Sequence, residues 1–224
     1  MFKFFTTVWL SLLIFVGSTG LSIATTGGDL NIAMLGFSSD SKYFVMTVLD
    51  NGDAAGVVSA KIMIVNVATN KCVRGGCQKA SKRVREEDAF TKQDVFEKDV
   101  LDEVLKKTWL LRKKLQLTPP RGYFAKGHFE GDGAAVYNYV HKKIRVLMLQ
   151  KVNEDQMKAS MQLEVSMDNF KKTLDSLNNY RSSALEYKLD NSLFISPNER
   201  CFAFLVRVNY PDGHYDFIVQ TVKF

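Results

Sequence analysis

Proline and histidine are scarce in this chain, with 4 and 3 copies in 224 residues. Few prolines and as many as 16 phenylalanines lean the composition towards strands. Few histidines leave little raw material for metal sites or general-base chemistry. No cluster of Cys, His, Asp and Glu has the spacing of a metal site, so neither a metal nor another cofactor is expected. No Gly-x-Ser-x-Gly elbow occurs, and no protease-type signature surrounds a cysteine. The glycines between Arg121 and Gly133 are not spaced as a phosphate loop, and no Lys-Ser/Thr pair follows them. Past Ala24 no apolar run approaches the roughly 20 residues that cross a bilayer. A large excess of one charge sign is also missing. There are 30 Lys and Arg against 24 Asp and Glu, a net charge of +6. The basic residues are dispersed: Lys79, Lys82, Arg83 and Arg85; Arg112 to Lys114; and Lys142, Lys143 and Arg145. Dispersed cations of this kind read mostly as solvated surface, and no nucleic-acid partner is expected.

What is present begins with the first 24 residues, which read as a secretory signal peptide. Lys3 supplies the positive start, residues 8–16 a short apolar core, and Ser22-Ile23-Ala24 the small residues of a cleavage site. The core is about half the length of a membrane span. The first cysteine, Cys72, is too far along to carry a lipid anchor. Cleavage after Ala24 leaves residues 25–224 as one exported domain, periplasmic or secreted, with no transmembrane segment. Export makes the C-x4-C pair Cys72 and Cys77 a candidate local disulfide, with Gly75 and Gly76 permitting the tight loop. Cys201 is then either a buried thiol between Phe202 and its apolar neighbours or the partner of one of the other two.

Strands are expected at residues 30–37, 42–49 and 60–67, the second apolar enough to be buried on both faces. Asp50-Asn51-Gly52-Asp53 reads as a turn rather than a calcium loop, since the remaining ligand positions are missing. Residues 84–117 carry a helical period. Asp94 and Glu97 suggest a capping box, and Val100, Leu101, Val104, Leu105, Trp109, Leu111 and Leu115 form the apolar stripe. Acidic residues start this segment, basic ones end it, and Pro119-Pro120 stops it. A helix laid across a sheet fits this pattern better than a membrane-surface helix, because the stripe is narrow and the polar face carries both signs. A short strand is expected in residues 121–133. The clearest hairpin follows, at residues 143–152 and 157–166 around the turn Asn153-Glu154-Asp155-Gln156. Asp168 is expected to cap a short helix carrying Phe170, Leu174 and Leu177, and strands are expected at residues 182–189, 200–208 and 215–223.

Two segments echo each other. Gly36-Phe37-Ser38-Ser39-Asp40-Ser41-Lys42-Tyr43-Phe44 and Phe194-Ile195-Ser196-Pro197-Asn198-Glu199-Arg200-Cys201-Phe202 share a scheme of apolar, Ser, Ser/Pro, Asp/Asn, polar, basic and then strand. Ser and Asp/Asn side chains can bond a turn backbone in this way. The phrase looks like the hairpin corner of propeller-like β repeats, although a full propeller needs about four blades. Together with the leader, the two corners resemble the bacterial family of predicted secreted proteins called domain of unknown function 2259. Ser39 stands where that family has Pro, and Ser41 and Glu199 where it has Gly. The resemblance implies an exported bacterial protein and transfers no catalytic residue.

Two weak catalytic pairs remain, His128 with Glu130 and His214 with Asp216, each able to share a strand face. They would matter only if they converged in one cleft. Tyr43, Phe44, Tyr123, Phe124, Tyr137, Tyr139, Tyr210 and Tyr215 could line a groove for sugar or peptide, but such residues more often fill a β core. The expectation is an α+β, β-rich domain of antiparallel sheets with propeller-like corners at both ends and one long amphipathic helix, inserted at about 84–117. Its expected function is non-enzymatic binding or structure, with a cell-envelope component or another protein as partner. The alternative is a cell-envelope hydrolase with a His/acid site.

Overall fold

The computed structural model describes residues 30–50, 57–84, 93–131, 133–211 and 213–224. The leader, Asn51-Gly52-Asp53 of the first turn and residues 85–92 lie outside that set. The described residues form a first antiparallel sheet, one helix and then a second antiparallel sheet. The first sheet contains β1 (Leu30–Phe37), β2 (Tyr43–Asp50), β3 (Val57–Asn66), β4 (Lys71–Cys72) and β5 (Gln78–Arg83). β1, β2 and β3 form a meander, and β4 and β5 both pair with the far edge of β3. Helix α1 spans Gln93–Lys114. The second sheet holds β6 (Tyr123–Phe129), β7 (Ala134–Tyr139), β8 (Lys142–Asn153), β9 (Lys158–Met167), β10 (Phe170–Asp175), β11 (Arg181–Ser182), β12 (Glu186–Ile195), β13 (Cys201–Asn209) and β14 (Tyr215–Lys223). Its order is β10-β9-β8-β7-β6-β12-β13-β14, with β11 also on β9. The sheet curls until it is nearly a closed barrel. Its edge strands β10 and β14 meet through the Phe170 and Phe224 rings, 6.2 Å apart, and through Lys172 Nζ, which donates to the Lys223 carbonyl.

Strand periodicity explains the layering. Side chains two apart share a face, and β2 uses both of its faces. Val45 and Leu49 join Ile62, Ile64, Val100 and Val104 under α1. Phe44, Met46 and Val48 face the other way, into a middle core with Phe194, Cys201, Ala203, Leu205 and Phe217. On β13 the opposite face, Phe202, Phe204 and Val206, enters the barrel core with Tyr137, Ile144, Met161 and Leu163. The order of layers is therefore helix, first meander, terminal meander (β12, β13, β14), and the rest of the barrel.

The two echoing segments are the corners that open these meanders, and their hydrogen bonds match one for one. Ser38 Oγ donates to Asp40 Oδ1 at 2.7 Å and accepts from Tyr43 N at 3.0 Å, while Lys42 N donates to Asp40 at 3.1 Å. Ser196 Oγ donates to Asn198 Oδ1 at 2.7 Å and accepts from Cys201 N at 3.0 Å, while Arg200 N donates to Asn198 at 3.1 Å. Ser41 and Glu199 hold φ of 60° and 55°, the left-handed region that glycine adopts most readily. In this alignment Phe44 matches Phe202, yet Phe44 faces the middle core and Phe202 the barrel core. The two meanders are thus stacked face to back.

Several expectations are corrected. Asp168 caps no helix: residues 170–175 form β10, and Asp168 sits at φ 51° in a two-residue turn between the paired residues Met167 and Phe170. Helix α1 has already begun at Gln93, so Asp94 lies inside its first turn rather than before it; its end at Lys114 falls short of Leu117, and residues 85–92 of the expected span lie outside the described set. Trp109 leaves the apolar stripe and is 46% exposed. The buried ridge continues instead through Thr108 and Arg112, four residues apart like Val100 and Val104. Arg112 is only 4% exposed, not solvated surface. Its guanidinium donates to Leu105 O at 2.8 Å and Thr108 Oγ1 at 3.3 Å, lies against the Trp109 ring, and has its pKa lowered by burial. The strand expected at residues 182–189 begins at Glu186 because Ser183, at φ 62°, breaks the extended run after Ser182.

Candidate functional site

A cleft of about 540 Å³ opens where three segments from different layers meet. The first is the turn after β3. Asn66 Oδ1 accepts from Ala68 N at 3.0 Å and Thr69 N at 3.1 Å, which folds the chain back on itself. Asn70, next in line, takes φ 52°, a conformation asparagine tolerates better than most residues. Its side chain then crosses to β14. Oδ1 accepts from Thr221 N at 2.8 Å and Thr221 Oγ1 at 3.1 Å, and Nδ2 donates to Gln220 Oε1 at 2.6 Å. β14 is an edge strand, so Asn70 supplies the amide partner that a further strand would otherwise provide.

The second wall is the end of β10 with the loop that follows. Asp175 is a well-buried carboxylate, its side chain 7% exposed. It accepts from Ser176 N at 2.8 Å, from Asn179 Nδ2 at 2.9 Å and from the Arg181 guanidinium. Arg181 also lies over the Tyr187 ring at 5.7 Å. Burial alone would lower the Arg181 pKa, but the bonds to Asp175 and Tyr187 reverse this and raise it. The third wall is the end of β14, from Gln220 to Lys223, tied to β10 by Lys172.

Four cations line the cleft, Lys71, Lys172, Arg181 and Lys223, against the single carboxylate of Asp175. Asp175 is already spent on Arg181. Among the described residues Lys71, Lys172 and Lys223 pair with no carboxylate. Thr69, Thr173 and Asn179 add neutral polar groups at the rim. Such a surface attracts anions.

The histidine pairs do not build a second site. His128 Nε2 is 3.8 Å from Glu130 Oε1, but the two side chains are 60% and 36% exposed, and Glu130 also faces Lys143 and Arg145. His214 stacks on Tyr210 and has Nε2 3.9 Å from Asp50 Oδ2. Asp216 holds Lys61 Nζ between its oxygens at 2.5 and 2.6 Å, an ion pair that locks β14 to β3. β12 and β13 stand between the strands that carry His128 and Asp216. At about 4.8 Å per strand they are roughly 14 Å apart, so the convergence that hydrolysis requires does not arise. Among the described residues no group of three or more His, Cys, Asp or Glu could hold a metal ion, and no helix is long and apolar enough to cross a membrane.

The structure pairs Cys72 with Cys77, Cα atoms 6.0 Å apart, directly after Lys71. Cys201 is a buried free thiol. Burial raises its pKa; the Ser196 bond and the nearby Lys223 and Lys172 pull the other way without prevailing. Of the aromatic surplus, Phe44, Tyr137 and Tyr215 are core, and Tyr123 is half exposed beside Tyr139, away from the cleft lining. The cleft residues gave no signal in sequence, because they come from separated segments with no common spacing. A search of known family models and of curated protein sequences finds no match to this chain.

Proposed function

We propose that this is an exported, non-enzymatic binding protein, periplasmic or secreted, whose ligand is taken into the cleft between Asn70, β10 and the end of β14. One observation carries the reading. The fold gathers Lys71, Lys172 and Lys223 from three separate strands around one cavity and supplies no carboxylate for them. Gathering like charges is unfavourable, and an anionic ligand is what would offset it. The failure of the two histidine pairs to meet weighs against the hydrolase alternative. Export itself rests on the leader pattern and on the resemblance of the two corners to a secreted bacterial family. The matched corner bonds and the face-to-back stacking support reading the two meanders as propeller-like blades, in a molecule with two of them.

The test uses the mature chain and a panel of anionic and neutral envelope-derived glycans and phosphates, followed by thermal melting. At a hundredfold excess over Kd a ligand adds about 2.7 kcal/mol, or roughly 5–10 °C in Tm for a chain of this size. Thr173→Trp, an exposed wall residue, should fill the cleft and abolish the shift. No shift with any probe, or an equal shift in Thr173→Trp, overturns the reading. Mass spectrometry of the natural protein should find an N-terminus after Ala24; one at Met1 would refute export.

A further inference from the structure

We propose that the cleft selects a small ligand carrying at least two phosphate groups, an inference that rests on the cleft being the binding site. The argument comes from the kinds of donor that remain unused. A guanidinium grips a planar carboxylate, or a phosphate, with two parallel bonds, whereas a lysine ammonium binds phosphate as a point charge. The only guanidinium in the lining, Arg181, is already closed on Asp175 and Tyr187. What remains are ammonium groups, compact point charges that suit phosphate oxygens and impose no planar geometry. Lys172 spends one of its three N–H donors on the Lys223 carbonyl, which fixes its head at the seam and leaves two for a ligand. Among the described residues Lys71 and Lys223 donate to no acceptor and keep all three.

Their placement sets the valency. Lys71 is on β4 of the first sheet, whereas Lys172 and Lys223 belong to opposite edges of the second. Three cations on three strands surround the cavity rather than lining one wall. A single phosphate would satisfy part of that ring, and two or more joined through a short backbone would satisfy it all. The volume of about 540 Å³ holds a small ligand of this kind and not a folded partner. Asn70 Nδ2 is taken up by Gln220 Oε1 and Asn70 Oδ1 by Thr221, and both side chains are neutral, so selection by charge falls to the lysines.

The experiment is titration calorimetry of the mature chain with three probes: inorganic tripolyphosphate, fructose 1,6-bisphosphate and citrate, the last of comparable charge but built from carboxylates. Both phosphate probes should bind and citrate should bind at least tenfold more weakly. A larger affinity for the sugar bisphosphate would assign the phosphates to a glycan, and a larger affinity for tripolyphosphate to an inorganic chain. Lys71→Gln, Lys172→Gln and Lys223→Gln should each weaken the phosphate probes about tenfold, the scale of one charge-assisted bond. Arg121→Gln, a cation outside the cleft lining, should leave them unchanged. Citrate binding as tightly as the phosphates, or lysine variants with wild-type affinity, overturns the inference. If neither phosphate binds while another probe binds and is blocked by Thr173→Trp, the phosphate assignment falls and the cleft reading stands. If no probe binds at all, both fall.

Discussion

Replacing Asn70 by alanine should destabilise the protein far more than a surface turn substitution normally does. Three losses add. The Thr221 amide faces away from β13 on an edge strand, and its residue is 1% exposed; without Asn70 Oδ1 it becomes an orphaned buried donor. That costs about 1–3 kcal/mol. The Gln220 side chain, 5% exposed, loses the donor at 2.6 Å, about 1 kcal/mol more. Thr221 Oγ1 keeps Val67 O at 3.3 Å, so it adds nothing. Finally residue 70 must hold φ 52°, which alanine resists by about 1 kcal/mol relative to asparagine. The sum is about 3–5 kcal/mol, or roughly 6–20 °C in Tm. Urea unfolding of wild type, Asn70→Ala and Asn70→Gly separates the parts. Glycine relieves the backbone strain but restores no bond, so it should fall between the other two, about 1 kcal/mol above alanine. A loss below about 1 kcal/mol in Asn70→Ala would show that water replaces the side chain. Equal losses in both variants would show that the backbone conformation carries no strain. The first result refutes the view of Asn70 as the edge partner of β14, and the second removes only the backbone part of the sum.

Three further outcomes follow from single groups. Thr47 Oγ1 is fully buried with no hydrogen-bond partner, so Thr47→Val should stabilise by about 1 kcal/mol in the same urea assay. Asp175→Asn should cost about 3–5 kcal/mol because it leaves Arg181 without its counter-charge, while Asp175→Asn with Arg181→Met should recover part of that loss. At the first corner burial would raise the Asp40 pKa, but donors from Ser38 and Lys42 prevail and lower it. Its stabilising contribution is therefore complete above about pH 4 and is lost as pH falls through the lowered value. Asp40→Asn copies the non-titrating Asn198 of the second corner and should flatten that acid limb in melts from pH 2 to 6; an unchanged limb would place the acid dependence elsewhere.

Much of the strand framework could be read from the sequence, for identifiable reasons. Alternation in Met157, Ala159, Met161, Leu163 and Val165 predicted β9; the last four are fully buried, but Met157 stays in the turn at φ 46° and is 53% exposed. The corner scheme could be read because Ser and Asp/Asn act on backbone two to five residues away, which is a local signal. β10 was misread because Phe170, Leu174 and Leu177 also satisfy a helical period. The two-residue turn at Asp168 decides for a strand, since it delivers the chain straight back along β9. α1 showed its period and the Val100 and Val104 part of its buried ridge, but not its start or the rest of the ridge. Thr108 and Arg112 are polar, and only bonds within the helix make them tolerable inside. The cleft was invisible because its charges come from β4, β10 and β14, and nothing local relates them.

The stacking explains why so much chain separates the two corners. A meander whose two faces are both apolar cannot end in water, and units stacked face to back leave one uncovered face at each end of the stack. Here the inserted segments supply both covers. α1 lies on the outer face of the first meander through Val100 and Val104. β7, β8 and β9 wrap round to the outer face of the terminal one through Tyr137, Ile144 and Leu163. The second cover is itself a sheet, and it stops just short of closing. Its last strand, β10, reaches β14 through side chains rather than a continuous ladder. That unfinished seam, with the turn after β3 held beside it by Asn70, is where the cleft forms. Closing the sheet would bury the Lys172 and Lys223 heads against each other. Leaving it open keeps both facing a cavity, and the cleft is in this sense the consequence of covering an apolar face with a sheet that does not close.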